Sequence, residues 1–487
     1  MSPLDWPLWW RILVLLNVSF YNLLGNAWCA GLSPLFGLII QELHCSQSQA
    51  SNLVTYALLT LGLSNLLALP LSSFFGKRLT VLVSLVLFIA CNIWSGEAST
   101  YDSLRTSRIL GGLAGGLVEA LGPIIVAETF PAHQLGRAMV VYVGFLASGS
   151  AIGPIVSGAI GTDLGSWRWY LRIISIFMSL NLFCSIIMLP ETAHTVDERG
   201  HNPPGEVSGG DTIEHKPTTA SVEDVGPPPP ASEMSSTPLR EEWMSRSFSL
   251  DYVPLQWTKM PSLLIQPLQL LAAPQVLVTV YVFGLTIGWT VITSVLISLI
   301  YASPPLLWKA RSIGLLNVAS LLGLLVGLPF GGYFADLLFL RSARRNISGP
   351  DPRSRLPMVL LGALSSPTGC LVLGHALRRL DSWIQVCLGW SLLAFGLTGS
   401  ANILLTYSVN SMPSRAGDIG VLVNVMKNCL AFGVSFASVP WMQGMGVFEQ
   451  FAIMSALLWL GYLLVIPIWF WSQAIVQKSA TYTRQGP

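Results

Sequence analysis

Ten long intervals of this chain, each of at least 18 residues, stand as separate candidate spans without one Asp, Glu, Lys or Arg: 12–41, 43–76, 79–96, 138–162, 173–190, 260–308, 312–335, 356–377, 382–414 and 450–477. An α-helix needs roughly 20 apolar residues to cross the hydrocarbon of a bilayer, so each interval has the length of a spanning helix. Two further stretches, Arg108 to Glu128 and Asp418 to Pro440, are apolar but interrupted, by Glu119 and by Lys427, and bring the expected total to twelve. Composition agrees. With 52% hydrophobic and only 10% charged residues, the chain lacks the polar surface of a water-soluble domain. A net charge of +2, with Lys and Arg scattered, builds no basic face for nucleic acid. The expected fold class is an all-α polytopic membrane protein.

Between the sixth and seventh spans the composition changes. Thr192 to Pro261 is rich in Pro, Gly, Ser, Asp and Glu, includes the run Pro227 to Pro230, and reads as a disordered linker. The expected division is a tail over 1–11, a six-helix bundle over 12–190, a linker over 191–268, a second six-helix bundle over 269–474 and a tail over 475–487. Six spans on each side of one polar segment is the layout of a transporter built by duplication, although the halves share no strong identity. Met1 to Arg11 carries Asp5 and three Trp and does not read as a cleavable signal, so the first helix is expected to serve as an uncleaved anchor.

Positive residues are retained on the cytosolic side of short loops. Starting inside assigns Arg11, Lys77, Arg78, Arg137, Arg341, Arg344, Arg345, Arg353, Arg355, Arg415, Lys478 and Arg484 to the cytosol, twelve against seven outside. Both termini and the linker are therefore expected in the cytosol. The sequons at Asn17 and Asn346 then fall in a span and a cytosolic loop, out of reach of glycosylation. The seven cysteines form no CxxC pair and are expected as buried free thiols rather than metal ligands. No phosphate-binding GxxxxGK[ST] loop is present, so an ion gradient rather than ATP is the expected energy source, and no cofactor, metal or catalytic residue is expected.

The fifth span contains GSAIGPIVSG, in which Gly149, Gly153, Pro154 and Gly158 leave one helical face bare and break one ladder hydrogen bond. Other ordered segments are Gly76-Lys77-Arg78 after the second span, SRILGGLAGGLVEALGPIIVAETF through the fourth, WRWY at the start of the sixth, and PET at Pro190 to Thr192. In the second half stand GGYFADLLFLRSARRN, VNVMKNCLAFG and Pro440-Trp441. Together these resemble the major facilitator superfamily, in particular its fungal-type twelve-span drug:proton antiporter branch. The resemblance implies two six-helix bundles, with Gly149, Gly153, Pro154 and Gly158 as an antiporter motif in helix 5. It also implies a gate at Gly76, Lys77 and Arg78, repeated in the second half at Gly332 and Asp336. One departure stands out: Ser73 occupies the place of the family's gate acid, so the first gate is expected to be weaker or differently wired.

An ionisable group inside the bilayer costs at least about 2.5 kcal/mol, which makes each one a functional candidate. Arg108 and Glu119 are eleven residues apart, which on a regular helix puts them about 20° apart on one face and roughly 16 Å apart in depth. The resemblance implies that Arg108 couples proton movement to substrate; the alternative is an arginine reaching back to the surface. Glu119, near mid-membrane, suits a proton carrier, the counter-charge of a cationic substrate, or a carboxyl satisfied by a neighbouring helix. Lys427 stands about halfway across, either functional or snorkelling, beside Asn428. Asn22, Asn26, Trp28, Trp289, Trp390, Asn402 and Tyr407 are candidate lining of a central cavity or simple packing residues.

These features imply proton-coupled antiport of a small organic compound such as a drug, toxin or secondary metabolite. The chain is expected to work as a monomer in the plasma membrane or an internal one, with protons, substrate and lipid as its partners. Uptake of an organic cation such as a polyamine is the alternative, and a transporter-shaped nutrient sensor a distant one.

Overall fold

The computed structural model describes residues 6–191, 260–335, 337–338, 341, 352–380, 382–412 and 415–471. Twelve helices among them are long and apolar enough to cross a membrane: α1 Leu8–Leu43, α2 Gln47–Phe75, α3 Lys77–Glu97, α4 Tyr101–Thr129, α5 Arg137–Asp163, α6 Arg168–Met188, α7 Pro274–Ala302, α8 Ala310–Phe334, α9 Arg353–Arg379, α10 Trp383–Ser411, α11 Gly417–Met445 and α12 Val447–Trp471. In hydrocarbon every backbone N–H and C=O must find a partner within the protein, and helices do this internally. Six spans on each side bring Trp6, Glu191, Met260 and Trp471 to one end of the molecule, called here the linker end.

One difference from the sequence reading lies where the linker meets α7. Residues 260–268, assigned above to the linker, belong to a short helix, Met260–Gln269, that continues as a 3-10 turn to Ala272. Its apolar residues Ile265 and Leu268 are exposed, and its Gln266 carbonyl accepts from Arg415 Nη2 at 3.1 Å. The apolar run Leu263 to Leu271 thus forms helix and 3-10 turn, packed against α2 and α11, rather than span or linker.

Several spans depart from regular helix where the sequence removes a donor or a side chain. The first stretch of α1 ends at Ala30, passes through a 3-10 turn at Ser33–Leu35 and resumes over Phe36–Leu43. Pro34 cannot donate to the preceding turn, and the packing of Gly31 leaves no space for a side chain, since a Cβ there would sit 1.9 Å from Tyr170 Oη. The fourth span is interrupted at Gly116. Both α8 and α10 contain a π turn, at Phe330–Phe334 and Leu397–Ala401.

Small residues bring the two bundles together. A Cβ on Gly62 of α2 would lie 2.8 Å from Asn428 Cβ of α11, and one on Gly314 of α8 would lie 2.5 Å from the Pro154 carbonyl of α5. In lipid, where burial gives helices no hydrophobic preference for one another, such close backbone approach is the main source of packing energy.

Candidate functional site

Glu119 is the one buried carboxylate among the described residues. It sits on α4, four positions toward the linker end from the middle of the span, and Pro123 stands four residues after it. A proline cannot donate, so the Glu119 carbonyl is left without its helical partner. Both the freed carbonyl and the carboxylate are taken up by α11. Asn424 Nδ2 donates to the carbonyl at 3.2 Å, Asn428 Nδ2 donates to Oε2 at 2.9 Å, and Lys427 Nζ forms an ion pair with Oε1. Positions 424, 427 and 428 share one helical face. From within its own bundle Glu119 also accepts at Oε2 from Asn65 Nδ2 of α2 at 2.9 Å, and Tyr142 Oη of α5 lies 3.5 Å from its carbonyl. Tyr142 in turn accepts from Asn22 Nδ2 of α1, and Asn26 Nδ2 donates to the Asn22 carbonyl at 3.0 Å.

Glu119 and Lys427 are each 3% exposed, so the pair is shielded from water. Two charges removed from water remain charged only if paired and hydrogen-bonded, and here the carboxylate has three donors. The pair joins the N-terminal bundle to the C-terminal one slightly to the linker side of mid-depth. Glu119 is therefore partnered from two neighbouring helices, α2 and α11.

Arg108 lies apart from this cluster, and its head does not reach back to the surface: it is fully buried. Nη1 and Nη2 donate to the Trp28 and Cys29 carbonyls at 2.9 and 3.0 Å, Nε to the Leu53 carbonyl at 3.4 Å, and the guanidinium lies 3.6 Å from the Trp28 ring centroid. Those two carbonyls belong to the last turn before the break in α1, where helical acceptors lose their partners. Arg108 thus caps the break, with Tyr170 Oη donating to the Ala27 carbonyl at 2.6 Å. Trp28 belongs to this arrangement rather than to a cavity, since its Nε1 donates to Asn92 Oδ1 at 2.8 Å.

The glycine series of α5 divides its contacts between two helices. A Cβ on Gly149 or Gly153 would lie 2.5 Å from the Leu23 or Ala27 carbonyl of α1, and one on Gly158 would lie 2.4 Å from the Ala310 carbonyl of α8. The motif therefore seats α5 against its own bundle at one point and against the other bundle at the next. Gly158→Val is expected to cut transport at least fivefold, about the factor that the lower end of 1–3 kcal/mol of overpacking brings. Gly144→Ala, whose Cβ would stand 3.6 Å from Leu328 Cδ1, is expected to stay within twofold. Initial transport rates, normalised to protein in the membrane, check both.

At the linker end Ser73 does not act across the bundles: it is exposed, and its hydroxyl donates to its own Leu69 carbonyl at 2.8 Å. Glu191, from the PET segment, accepts instead from the backbone N–H groups of Lys77 and Arg78 at 3.1 and 3.0 Å, capping the positive end of α3. Gly76 makes room for it with φ +81°. Lys77 pairs with Glu128 of α4, and Arg78 Nη2 donates to the Ile186 carbonyl at 2.8 Å. Gly332 lies in the π turn of α8 facing Val140 of α5. Asp336 lies outside the described residues.

Between the bundles, on the side away from the linker, is a cavity of about 20 Å³ lined by Ser33, Ser150, Thr290, Ser294, Asn317 and Trp390 among others. Trp289 is buried beside Thr290. Asn402 donates to the Thr398 carbonyl at 3.5 Å in the π turn of α10, and Tyr407 is buried one turn further toward the linker end; neither lines this cavity. Asn65, Asn424 and Tyr142 are site residues that reading the sequence missed. The signals for them were the Glu119-x3-Pro123 spacing and the Asn424-x2-Lys427-Asn428 face.

The family model described as Major Facilitator Superfamily matches residues 15–436. Among curated proteins, the chain is 24% identical over 405 residues to a probable efflux pump, mfs2, of Aspergillus flavus, covering 82% of this chain and 88% of that protein. It is 23% identical to the MFS antiporter QDR3 of Candida albicans, covering 95% and 78%, and 22% identical to Quinidine resistance protein 3 of Saccharomyces cerevisiae, covering 93% and 81%. Among solved structures, the xylose transporter XylE from E. coli aligns with a TM-score of 0.63 at 15% identity, covering 94% of this chain and 97% of that one.

Proposed function

The chain belongs to the major facilitator superfamily of membrane transporters, and we propose that within it the protein exports a small organic compound in exchange for protons. The observation that supports this most is the buried Glu119–Lys427 pair spanning the two bundles. Each bundle carries one charge of the pair, so its strength depends on how the bundles sit. A proton on Glu119 abolishes the attraction and frees α11 from α4. The bundles then rock apart at the linker end, and loss of the proton draws them together again. A carboxylate of this kind links a proton gradient to alternating access without ATP. The helix 5 series Gly149, Gly153, Pro154 and Gly158 and the efflux, antiporter and resistance names of the relatives favour efflux. On the positive-residue count, the linker end faces the cytosol.

The test is proton movement in sealed proteoliposomes loaded with a pH dye. Quinidine, the compound in one relative's name, and the uncharged compound cycloheximide are added in turn. Substrate-dependent proton flux that disappears in Glu119→Gln is expected; flux unchanged in that variant contradicts the coupling role.

A further inference from the structure

The chemistry of the inter-bundle cavity narrows the substrate, on the premise that transport passes through it. No lining residue is charged: Ala30, Ser33, Val54 and Ser150 come from one bundle, and Thr290, Val291, Ser294, Asn317, Ser320 and Trp390 from the other. Four of the five lining hydroxyls, all but that of Ser320, have already spent their donors. Ser33 donates to the Ala30 carbonyl at 2.9 Å, Ser150 to the Ala147 carbonyl at 2.8 Å, Thr290 to the Thr286 carbonyl at 2.8 Å, and Ser294 to Asn317 Oδ1 at 3.4 Å. What they offer a ligand is lone pairs. Trp390 is the reverse: it is 1% exposed, and its indole N–H has no acceptor among the described residues. A buried donor left unpaired is costly, and one at a cavity wall is where a ligand atom recovers the loss.

The single buried carboxylate among the described residues does not line the cavity and already has its counter-charge. Glu119 is saturated by Lys427, Asn65 and Asn428. A cation entering the cavity would find hydroxyl oxygens but no negative charge to replace its water, and an anion would find only neutral donors, the Trp390 N–H, the Asn317 amide and the Ser320 hydroxyl. We infer that the cavity takes an uncharged compound that carries hydroxyl or amide N–H donors for the Ser and Thr oxygens and a carbonyl or ether oxygen for the Trp390 N–H. At about 20 Å³ the cavity is the collapsed form of this site, with room for little more than one water, and it opens in the opposite phase of the cycle, when the bundles part at the end away from the linker.

Binding of tritiated cycloheximide, which is uncharged and carries a hydroxyl, an imide N–H and carbonyls, to the full chain in nanodiscs tests this. Saturable binding is expected, weakened at least tenfold by Trp390→Phe, which keeps a ring but removes the donor. Thr290→Val, which keeps the shape but removes the lone pairs, is expected to weaken it severalfold. Both variants are checked for a monodisperse profile on size exclusion. Tetraphenylphosphonium and benzoate are expected not to displace the label. Displacement by either ion, no saturable binding of the label, or affinity within twofold of the parent in both variants overturns the assignment. Proton flux with the same compound is scored separately, so that binding without flux removes antiport and leaves the cavity chemistry standing.

Discussion

Lys427→Met, with Glu119 intact, is expected to destabilise the folded transporter by about 3–5 kcal/mol, because it leaves a carboxylate buried without its cation. Glu119→Gln leaves the ammonium buried without its counter-charge, 3% exposed, with an amide oxygen and, 5.9 Å away, the Phe283 ring in partial compensation. The double variant Glu119→Gln/Lys427→Met is expected to be more stable than either single one, because it strands no charge and a Gln amide still has Asn65 and Asn428 as neighbours. The non-additivity, read from thermal unfolding in detergent, measures the pair itself. It also separates structure from coupling: the double variant should be folded and inserted yet carry no substrate-dependent proton flux. Additive losses in the two single variants would mean that the side chains do not act on each other.

Arg108 is expected to show a different signature. Arg108→Met removes three donors from the Trp28, Cys29 and Leu53 carbonyls together with the charge lying over the Trp28 ring. Each buried acceptor left bare costs about 1–3 kcal/mol, and the ring contact about 1–2 kcal/mol more, so a loss near the largest single-residue effects is expected. Arg108→Lys should recover little, since a point charge cannot fork to two successive carbonyls. If Arg108 works by holding the break in α1, its variants lose transport equally at every pH. A displaced pH profile in Arg108→Lys, with stability preserved, would instead return Arg108 to the proton path that the family resemblance implies.

Much of the architecture is legible in the sequence, because a bilayer demands long charge-free runs and this chain supplies them. The break in α1 is also written locally, in Gly31 and Pro34. The partnerships are not. Glu119 and Lys427 each stand out as a lone charge in an apolar span, but they are 308 positions apart, and the attraction between them exists only once α4 and α11 face each other. Local spacing did hold part of the answer: Pro123 frees the Glu119 carbonyl, and Asn424, Lys427 and Asn428 share a face. Arg108 was misleading for the opposite reason. An arginine near a helix start suggests a head reaching back to the surface, whereas its partners are backbone carbonyls, two of them available only where α1 stops being a helix. Ser73 showed that the first gate lacks its usual acid, but that Glu191 caps α3 follows from the chain's return after α6, which no local pattern contains.

The central claim is that protonation of Glu119 releases one bundle from the other. The most direct measurement is the distance between spin labels at Leu79 of α3 and Leu360 of α9, exposed positions near the linker end of opposite bundles, taken by pulsed electron resonance across a pH series in a cysteine-depleted background. The distance distribution is expected to shift to longer separations as the pH falls, and Glu119→Gln is expected to show the long-distance population at every pH. A distribution that ignores pH in the parent, or a Glu119→Gln variant that follows the parent across the series, contradicts the account.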